Sequence, residues 1–434
     1  MAKKETNGLV RTLGLTALII YGVGDILGAG IYALVGKIAG LAGPYTWLSF
    51  LIAMFIVFFT ALTYSELVSR YPRSGGVSIF VQESFGRPSL SILAGLLLFS
   101  ATLLSMSTLT QAFIGYLNSL GVTIPAFFEV FSFLLVLLLI NIRGIRQSSI
   151  ANIISTLVEV SGLLLVLIFG LRYLMSADHS IAMEHAGSPN IGKLFEGAAL
   201  AFFAFTGFED LANVAEEVKQ PKKNVPRAIL SSLGIAGIMY LSVSWVATAI
   251  ISGQELSQSS GPLLDVVHRA YPPLPIFVFS LIALFAVFNT TLLNYITASR
   301  LLYGMAEENL IPKFFQKVHK KFHTPYVSIL FIFPIVLTLG TLGSLKGLAS
   351  STSAVILILF SFSSIALINI KRKEPKKSRL DIFRVPMWVP CLAVVLNILA
   401  ITCLPLINLI PAIVFIVVGG IVVAGYQIIV ARKW

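Results

Sequence analysis

Charged residues are scarce in this sequence, and their scarcity excludes an ordinary soluble protein. Only 12% of the 434 residues are Asp, Glu, Lys or Arg, whereas a typical soluble domain carries about 25%. Hydrophobic residues make up 57% of the chain, and the mean hydropathy is +0.91. We therefore interpret the chain as a polytopic membrane protein.

Cysteine and histidine are also rare. The two cysteines, Cys391 and Cys403, lie in one apolar stretch, so neither a disulfide framework nor a cysteine-based metal site is supported. The five histidines fall in predicted loops, and the sequence contains no nucleophile–base pair or phosphate-binding loop. We expect no catalytic residues, no metal site and no cofactor.

Long apolar stretches, by contrast, run through the whole chain. About 20 apolar residues are needed for a helix to cross a bilayer. Twelve candidate spans meet this criterion, near residues 12–40, 45–67, 89–116, 125–141, 151–174, 194–217, 228–251, 273–303, 325–343, 349–370, 386–406 and 409–430. The predicted fold is an all-α polytopic membrane protein with 12 transmembrane helices, which form a single transmembrane domain over residues 1–434.

Lysine and arginine are concentrated in alternate loops. If the N-terminus is cytoplasmic, most of them fall in cytoplasmic loops. On or near the other side stand only Lys37, Arg172, Lys193, Arg269 and Lys346. The positive-inside rule then predicts a multi-pass protein of the cytoplasmic membrane with both termini in the cytoplasm, and the basic segment 1–11 as an uncleaved tail. The net charge of +12 would face an anionic lipid leaflet, and we expect no nucleic-acid partner.

Small and acidic residues interrupt the first span. Residues 22–32 read Gly-Val-Gly-Asp-Ile-Leu-Gly-Ala-Gly-Ile-Tyr, and a carboxylate at the bilayer centre costs about 2.5–3.5 kcal/mol on insertion scales. Non-helical backbone survives in a membrane only where it lines a cavity or is buried in protein. We interpret Gly28-Ala29-Gly30 as a helix break that offers backbone groups to a ligand. The alternative is a helix-packing face, since Gly24 and Gly28 have the small-xxx-small spacing.

The sixth span repeats this pattern. Thr206-Gly207 interrupts an apolar run and is followed by Glu209 and Asp210. The two interrupted spans are five spans apart, and because five is odd, the second set of five must run through the membrane in the opposite sense. This is the inverted-repeat arrangement of secondary transporters. It predicts a first five-helix repeat over 12–174, a second over 194–343 with its tenth helix at 349–370, and two additional helices over 386–430.

Four motifs stand in a fixed order along the chain: the glycine-rich residues 22–32, Tyr-Ser-Glu-Leu-Val-Ser-Arg-Tyr-Pro-Arg-Ser-Gly-Gly at 64–76, the segment from Gly-Phe-Glu at 207–209 to Arg227, and Ser-Arg-Leu-Leu-Tyr-Gly-Met at 299–305. Through these motifs the chain resembles bacterial amino acid permeases of the amino acid-polyamine-organocation superfamily over nearly its whole length. The resemblance implies the LeuT-type 5+5 inverted repeat, with broken helices 1 and 6, and transport by alternating access.

The resemblance also implies a binding site for an amino acid. The substrate carboxylate would meet backbone N–H groups of the first broken helix, which agrees with the attraction of anions to helix N-termini. The residues implied for the carboxylate are Gly28, Ala29 and Gly30. The carbonyl groups implied for the α-amino group are those of Ile26, Phe203, Ala204 and Thr206. Phe205 and Phe208, with residues of the third, eighth and tenth spans, are candidates for side-chain selectivity.

Three acids inside the predicted spans each allow functional readings and a structural one. Glu209 could sense protons, gate the site or contact a cationic substrate, or it could only cap freed N–H groups. Some relatives resembling this chain carry a lysine where Glu159 stands, and this glutamate could take a proton or coordinate a cation, or be a neutral acid bonded to a carbonyl. Asp25 could join Glu159 in an ion site, pair with a cationic substrate, or be structural.

The eighth span carries hydroxyl groups at Thr290 and Thr291 between two asparagines. Oxygen atoms of this kind are ligands for hard cations, but polar residues also link transmembrane helices at about 0.6 kcal/mol each without any ion. Both readings stay open.

The predicted function is secondary active uptake of amino acids, most simply coupled to a proton, with sodium as the alternative ion. An amino acid/amine exchanger and a cationic amino acid or polyamine permease are the alternatives within the same fold. A membrane enzyme or a non-transporting receptor is disfavoured, because no catalytic constellation or sensor domain is present. The expected partners are the amino acid, the coupling ion and the lipid bilayer, and the sequence leaves the oligomeric state undetermined.

Overall fold

The structure is a computed structural model that describes residue 11 and residues 13–73, 76–122, 124–144, 149–176, 188–307, 311–374 and 382–431. The predicted N-terminal tail, apart from Arg11, and the last three residues lie outside the described residues. The same is true of His179 and His185.

The described chain folds into sixteen α-helices. They are α1 (Leu15–Leu27), α2 (Ala29–Ala42), α3 (Thr46–Arg70), α4 (Gly76–Phe85), α5 (Pro88–Ser119), α6 (Ala126–Arg143), α7 (Ser149–Met175), α8 (Ile191–Ala201), α9 (Pro221–Ile250), α10 (Gly253–Gln258), α11 (Pro262–Ala270), α12 (Ile276–Glu307), α13 (Tyr326–Leu342), α14 (Leu345–Lys373), α15 (Trp388–Thr402) and α16 (Ile410–Ala431). Short 3₁₀ helices cover Gly43–Tyr45, Phe202–Phe205, Phe208–Ala212, Ala215–Glu217, Lys313–Gln316 and Leu406–Leu409.

Nine helical segments of the described chain are long and apolar enough to cross a membrane. One of them, Leu15–Arg70, contains α1, α2 and α3, and two shorter apolar helices, Tyr326–Leu342 and Trp388–Thr402, add to the nine. The described ranges contain no β-strand, only an isolated bridge between Leu13 and Val218. The protein is therefore a multi-pass membrane protein, and the described part of it is all-helical.

Three short helices were not predicted from the sequence. They are α4, between α3 and α5, and the pair α10 and α11, which follow α9. The hydroxyl of Ser252 accepts a hydrogen bond from the N–H of Glu255 and caps α10, while Pro262 occupies the first turn of α11. His268 accordingly lies in α11 rather than in the predicted loop. A search for apolar runs of membrane-spanning length passes over such short helices.

Ion pairs lie at both ends of the helix bundle. At one end Glu66, fully buried, accepts from Arg70 at 2.6 Å and from Lys371 at 2.8 Å, and Ser69 donates to the carbonyl of Lys222. We call this the basic end. At the opposite end the ammonium of Lys346 lies 2.7 Å from Glu196. The buried ion pairs of the basic end join the C-terminal ends of α3 and α14.

Buried apolar side chains form two clusters. One is contributed mainly by α1, α2, α3, α9, α14 and the helix segments around Ala201, and the other by α5, α6, α12 and α13. Helix α5 belongs to both clusters and packs along α12 and α14. The two helix interruptions near Gly28 and Gly207 are therefore held inside protein, where non-helical backbone can be satisfied.

Candidate functional site

The first interruption is confined to Gly28. Helix α1 ends at Leu27 and α2 begins at Ala29, so Ala29 and Gly30 are helical and the predicted three-residue break is corrected to one residue. The backbone of Gly28 has ψ −141°, which turns the chain out of the helix. The N–H of Ala29 donates to the hydroxyl oxygen of Thr290 at 3.2 Å. The N–H of Gly30 falls in the first turn of α2, where it has no acceptor inside its own helix.

The second interruption is longer. After α8 the chain forms a 3₁₀ turn, Phe202–Phe205, and a second one, Phe208–Ala212. Gly207 between them has φ +116°, a conformation that other residues rarely adopt. The carboxylate of Glu209 accepts the N–H of Gly207 at 2.8 Å, and the hydroxyl of Thr206 donates to the carbonyl of Phe203 at 2.7 Å. Glu209 therefore caps a freed N–H group in this structure.

The two interruptions cross each other at contact distance. A Cβ added to Gly30 would lie 2.7 Å from Cα of Ala204, and one added to Gly207 would lie 2.8 Å from the carbonyl oxygen of Asp25. Only hydrogen atoms fit at these positions. Gly24, by contrast, approaches the side chain of Thr156 on α7, so the packing interpretation holds for this glycine.

The hydroxyl of Tyr240 on α9 lies between the carbonyl groups of the two interruptions. It is fully buried, and it is within hydrogen-bond reach of the carbonyl of Ile26 and, at 2.8 Å, of that of Ala204. One hydroxyl proton serves two acceptors, because a tyrosine has a single O–H to donate. Tyr240 therefore ties together carbonyls that were predicted from the resemblance to bind an α-amino group.

A cavity opens where the two interruptions cross. Four elements enclose it: the junction of α1 and α2, the second interruption, α5 and α12. The lining residues include Asp25, Ile26, Ala29, Gly30, Thr102, Ser105, Phe203, Ala204, Thr206, Gly207, Glu209, Asp210, Thr290, Asn294 and Thr297. We call it the inner cavity.

The inner cavity is lined by three acids, Asp25, Glu209 and Asp210, and by no lysine or arginine among the described residues. The carboxylate of Asp210 accepts from Asn213 at 3.0 Å. One carboxylate oxygen of Asp25, Oδ2, is buried without a hydrogen-bond partner in the described part of the chain. A buried unpaired carboxylate is costly, so Asp25 is suited to receive a proton or a cationic group.

Glu159 lies outside the inner cavity. Its side chain is buried, and its carboxylate accepts from the amide of Asn289 on α12 at 3.0 Å. Its backbone carbonyl accepts from the hydroxyl of Tyr32 at 2.6 Å. Glu159 thus joins α7 to α12 and α2, next to the first interruption.

Residues 12–424 match the family described as amino acid permease. The chain belongs to the amino acid permease family. The family members are transporters, and the permease is accordingly not an enzyme.

Several relatives cover nearly all of the permease. The branched-chain amino acid permease BcaP of Bacillus subtilis (strain 168) is 28% identical over 98% of this chain and 95% of its own length. The methylthioribose transporter of the same organism is 27% identical over 91% of this chain and 88% of its own. Cationic amino acid transporter 4 of Mus musculus is 30% identical over 90% of this chain and 62% of its own. The substrates in the names of these relatives differ.

The aromatic candidates of the permease divide between the cavity and the core. Phe203 lines the inner cavity, whereas Phe205 packs edge-on against Tyr240 and Phe208 stacks on Phe360, both outside the cavity lining. The hydroxyl of Thr291 donates to the carbonyl of Val287 in its own helix, away from the lining.

Three polar residues on two helices of the permease, Thr102, Ser105 and Thr297, were not singled out from the sequence, whereas Asn294 was noted as one of the two asparagines on either side of Thr290 and Thr291. Thr102 and Ser105 of α5, and Asn294 and Thr297 of α12, line the inner cavity. The amide of Asn294 donates to the hydroxyl of Ser105 at 2.9 Å. The α12 residues could have been found from their spacing, because residues 290, 294 and 297 share one face of a helix.

Proposed function

We propose that the permease is a secondary active transporter that carries amino acids across the cytoplasmic membrane by alternating access, coupled to a proton. The proposal rests on one observation, the crossing of two interrupted helices at a buried cavity. Discontinuous helices of this kind form the substrate and ion sites of secondary transporters, at the interface of inverted repeats. The proposed architecture has twelve crossings, with repeats over 12–174 and 194–370, additional helices over 386–430 and the basic end in the cytoplasm.

The proposed carboxylate site is the first turn of α2. The N–H groups of a helix N-terminus attract anions, and the N–H of Gly30 belongs to the cavity-lining segment Ala29–Gly30. Gly28 supplies the turn that exposes this segment, while Thr290 already accepts from Ala29. A bound carboxylate would complete the first turn of the helix.

The proposed ammonium site is the opposite wall. It combines the carbonyls of Ile26, Phe203 and Ala204, the neighbouring Thr206 and the carboxylate of Asp25. All five residues line the inner cavity. Since the Ile26 and Ala204 carbonyls share one tyrosine hydroxyl, a substrate ammonium would add the donors that this pair lacks. Phe203 and the residues of α5 and α12 would then contact the substrate side chain.

The proposed coupling group is Glu159, with Asp25 and Glu209 as further proton-binding or gating acids. The carboxylate of Glu159 accepts a hydrogen bond from Asn289 of α12, and its backbone carbonyl accepts one from Tyr32 of α2. A change in the protonation of the Glu159 carboxylate would alter the hydrogen bond between α7 and α12. Thr290 and Thr291 supply oxygen atoms near the same junction if the coupling ion is sodium.

The decisive experiment is uptake of labelled amino acids into proteoliposomes, with a pH gradient, a sodium gradient or internal amino acid supplied separately. We expect the pH gradient alone to drive accumulation. Uptake only into preloaded vesicles would identify an exchanger, and no uptake of any amino acid would refute the proposal.

The variant Glu159→Gln tests the coupling role. It is expected to abolish accumulation driven by pH while exchange is retained, because an amide keeps the shape but cannot exchange the proton. Glu129→Gln is the matched control, since Glu129 is also buried but lies at the start of α6. Equal loss of accumulation and exchange in Glu159→Gln would contradict the coupling role.

A cationic amino acid is the second candidate substrate, favoured by the three acids that line the inner cavity without a basic residue. Asp25→Asn is then expected to weaken competition by lysine or arginine by about tenfold, about 1.4 kcal/mol, while competition by leucine changes little. Equal effects on both classes would assign Asp25 a role other than side-chain recognition.

A further inference from the structure

A second cavity lies beyond the inner one, toward the end of the bundle opposite the basic end. Its volume is about 180 Å³, compared with about 60 Å³ for the inner cavity. It is lined by Tyr32, Gly36, Lys37, Gln111, Tyr116, Ser260 and neighbouring residues. We call it the outer cavity.

The two cavities follow each other along the same helices. On α2 the inner cavity is lined by Ala29 and Gly30, and the outer cavity by residues from Tyr32 to Lys37. On α5 the corresponding ranges are 98–109 and 111–116. The hydroxyl of Tyr116 donates to the carbonyl of Tyr32 at 3.1 Å and joins the two helices at the floor of the outer cavity. The outer cavity thus follows the inner one along α2 and α5, on the side of the opposite end.

Lys37 is the only basic residue among the described residues that line the outer cavity. Its side chain is partly buried, and its ammonium donates to the carbonyl of Ser257 at 2.5 Å. No carboxylate of the described chain lies within ion-pair distance of it. A lysine ammonium has three donors, so a single carbonyl leaves it able to bind an anion.

The other basic residues of the opposite end are placed differently. Arg269 is paired with Glu255 at 2.6 Å and Lys346 with Glu196 at 2.7 Å, while Arg172 and Lys193 are exposed to the surroundings. A partly buried ammonium without a carboxylate costs free energy. Lys37 alone among these five carries that cost, and it does so at a cavity.

Lys37 also lies in line with the first turn of α2. Gly30, Ala33 and Lys37 are spaced i, i+3 and i+7, so they share one face of the helix. Seven residues of helix rise about 10 Å. A carboxylate released from Lys37 toward the inner cavity would move along one helix face to the N–H groups at the start of α2.

We propose that the outer cavity is an entry site for the substrate, in which the ammonium of Lys37 binds the carboxylate of the amino acid before it reaches the inner cavity. This inference rests on the proposed function and adds a second, earlier carboxylate site to it. An amine that lacks the carboxylate would not use Lys37.

The test is charge restoration at position 37. The variant Lys37→Cys is reconstituted, and the half-saturating external concentration for uptake is measured before and after treatment with impermeant methanethiosulfonates carrying either an ammonium or a sulfonate group. Lys37→Gln, which keeps a donor for the Ser257 carbonyl without the charge, is the second variant. Lys193→Gln removes an exposed charge from the same end as a control, and the unsubstituted protein controls for Cys391 and Cys403.

We expect Lys37→Cys and Lys37→Gln to raise the half-saturating concentration about tenfold, equivalent to about 1.4 kcal/mol. The ammonium reagent should restore Lys37→Cys to within about twofold, as expected for a charge-assisted contact, and the sulfonate reagent should not. Inhibition by a carboxylate-free amine should be unchanged in Lys37→Gln.

Three results would overturn the inference. The first is wild-type uptake kinetics in both Lys37 variants, and the second is an equal response to the two reagents. The third is a change in the half-saturating concentration when gluconate replaces chloride, which would make an inorganic anion the occupant of the outer cavity. Absence of amino acid uptake by the unsubstituted protein would instead refute the proposed function.

Discussion

Removal of the Tyr240 hydroxyl should destabilise the ligand-free permease and improve its response to substrate. In Tyr240→Phe the carbonyls of Ile26 and Ala204 lose the donor they share. An unsatisfied buried polar group costs about 1–3 kcal/mol. Because these carbonyls are buried at the helix interruptions, we expect the free energy of unfolding of Tyr240→Phe without substrate to fall by that amount.

Bound substrate should reverse part of this loss. If the substrate α-ammonium donates to the same two carbonyls, its binding gives the variant about one hydrogen bond in place of the one that the Tyr240 hydroxyl supplies in the unsubstituted protein. One such bond is worth about 0.5–1.5 kcal/mol, which corresponds to an affinity gain of at most about tenfold. The variant should therefore show a larger substrate-induced rise in melting temperature and a lower Kd by calorimetry.

A matched control is available in Tyr295→Phe. The Tyr295 hydroxyl is also fully buried and donates to the carbonyl of Ile329 at 2.9 Å, between α12 and α13. This variant should lose stability equally with and without substrate. The reasoning is refuted if Tyr240→Phe behaves in the same way as this control, or if it binds substrate more weakly than the unsubstituted protein.

Two further substitutions probe the helix crossing and the basic end. Gly30→Ala places a methyl group 2.7 Å from Cα of Ala204, so overpacking of about 1–3 kcal/mol should lower the melting temperature and abolish uptake. Gly234→Ala, where a Cβ meets nothing within 4 Å, should transport normally, and normal uptake by Gly30→Ala would contradict the close crossing. Glu66→Gln removes the carboxylate that Lys371 pairs with and one of the two that Arg70 pairs with, the other being Glu374, and should cost about 3–5 kcal/mol, measured as a fall in melting temperature. Glu255→Gln breaks an exposed pair and should cost at most about 1 kcal/mol, so equal melting temperatures for these two variants would argue against a structural role for the buried network.

The helix interruptions could be predicted because their residues conflict with a lipid-facing helix. Gly28 and Gly207 each stand where the backbone leaves the helix, and a glycine next to an acid inside an apolar span is a local signal. The short extent of the first interruption was not predictable. Ala29 and Gly30 stay helical since the hydroxyl of Thr290, from a distant helix, accepts the first N–H of α2.

Side-chain directions at the site depended on tertiary packing and could not be obtained from the sequence. Phe203, Phe205 and Phe208 cannot be distinguished by sequence, because all three stand among apolar residues. After Ala201 the helix changes from α to 3₁₀ geometry, and only Phe203 then lines the cavity. Tyr240 gave no signal at all. A tyrosine in an apolar helix looks the same whether its hydroxyl reaches the membrane surface or two carbonyls in the core.

The second interruption also has a consequence for the synthesis of the protein. Its segment, Ile191–Ala212, has a mean hydropathy of 1.3, the lowest of the nine candidate spans in the described chain, whereas the others range from 1.8 to 2.8. Insertion of a helix from the translocon into lipid depends on its hydrophobicity, and ionisable residues within it oppose that step; this segment contains Glu196, Glu209 and Asp210. Among the nine candidate spans, this segment therefore depends most on neighbouring helices to enter the bilayer. The following helix α9 is suited to retain it during assembly, because the hydroxyl of Tyr240 on α9 donates to the carbonyl of Ala204.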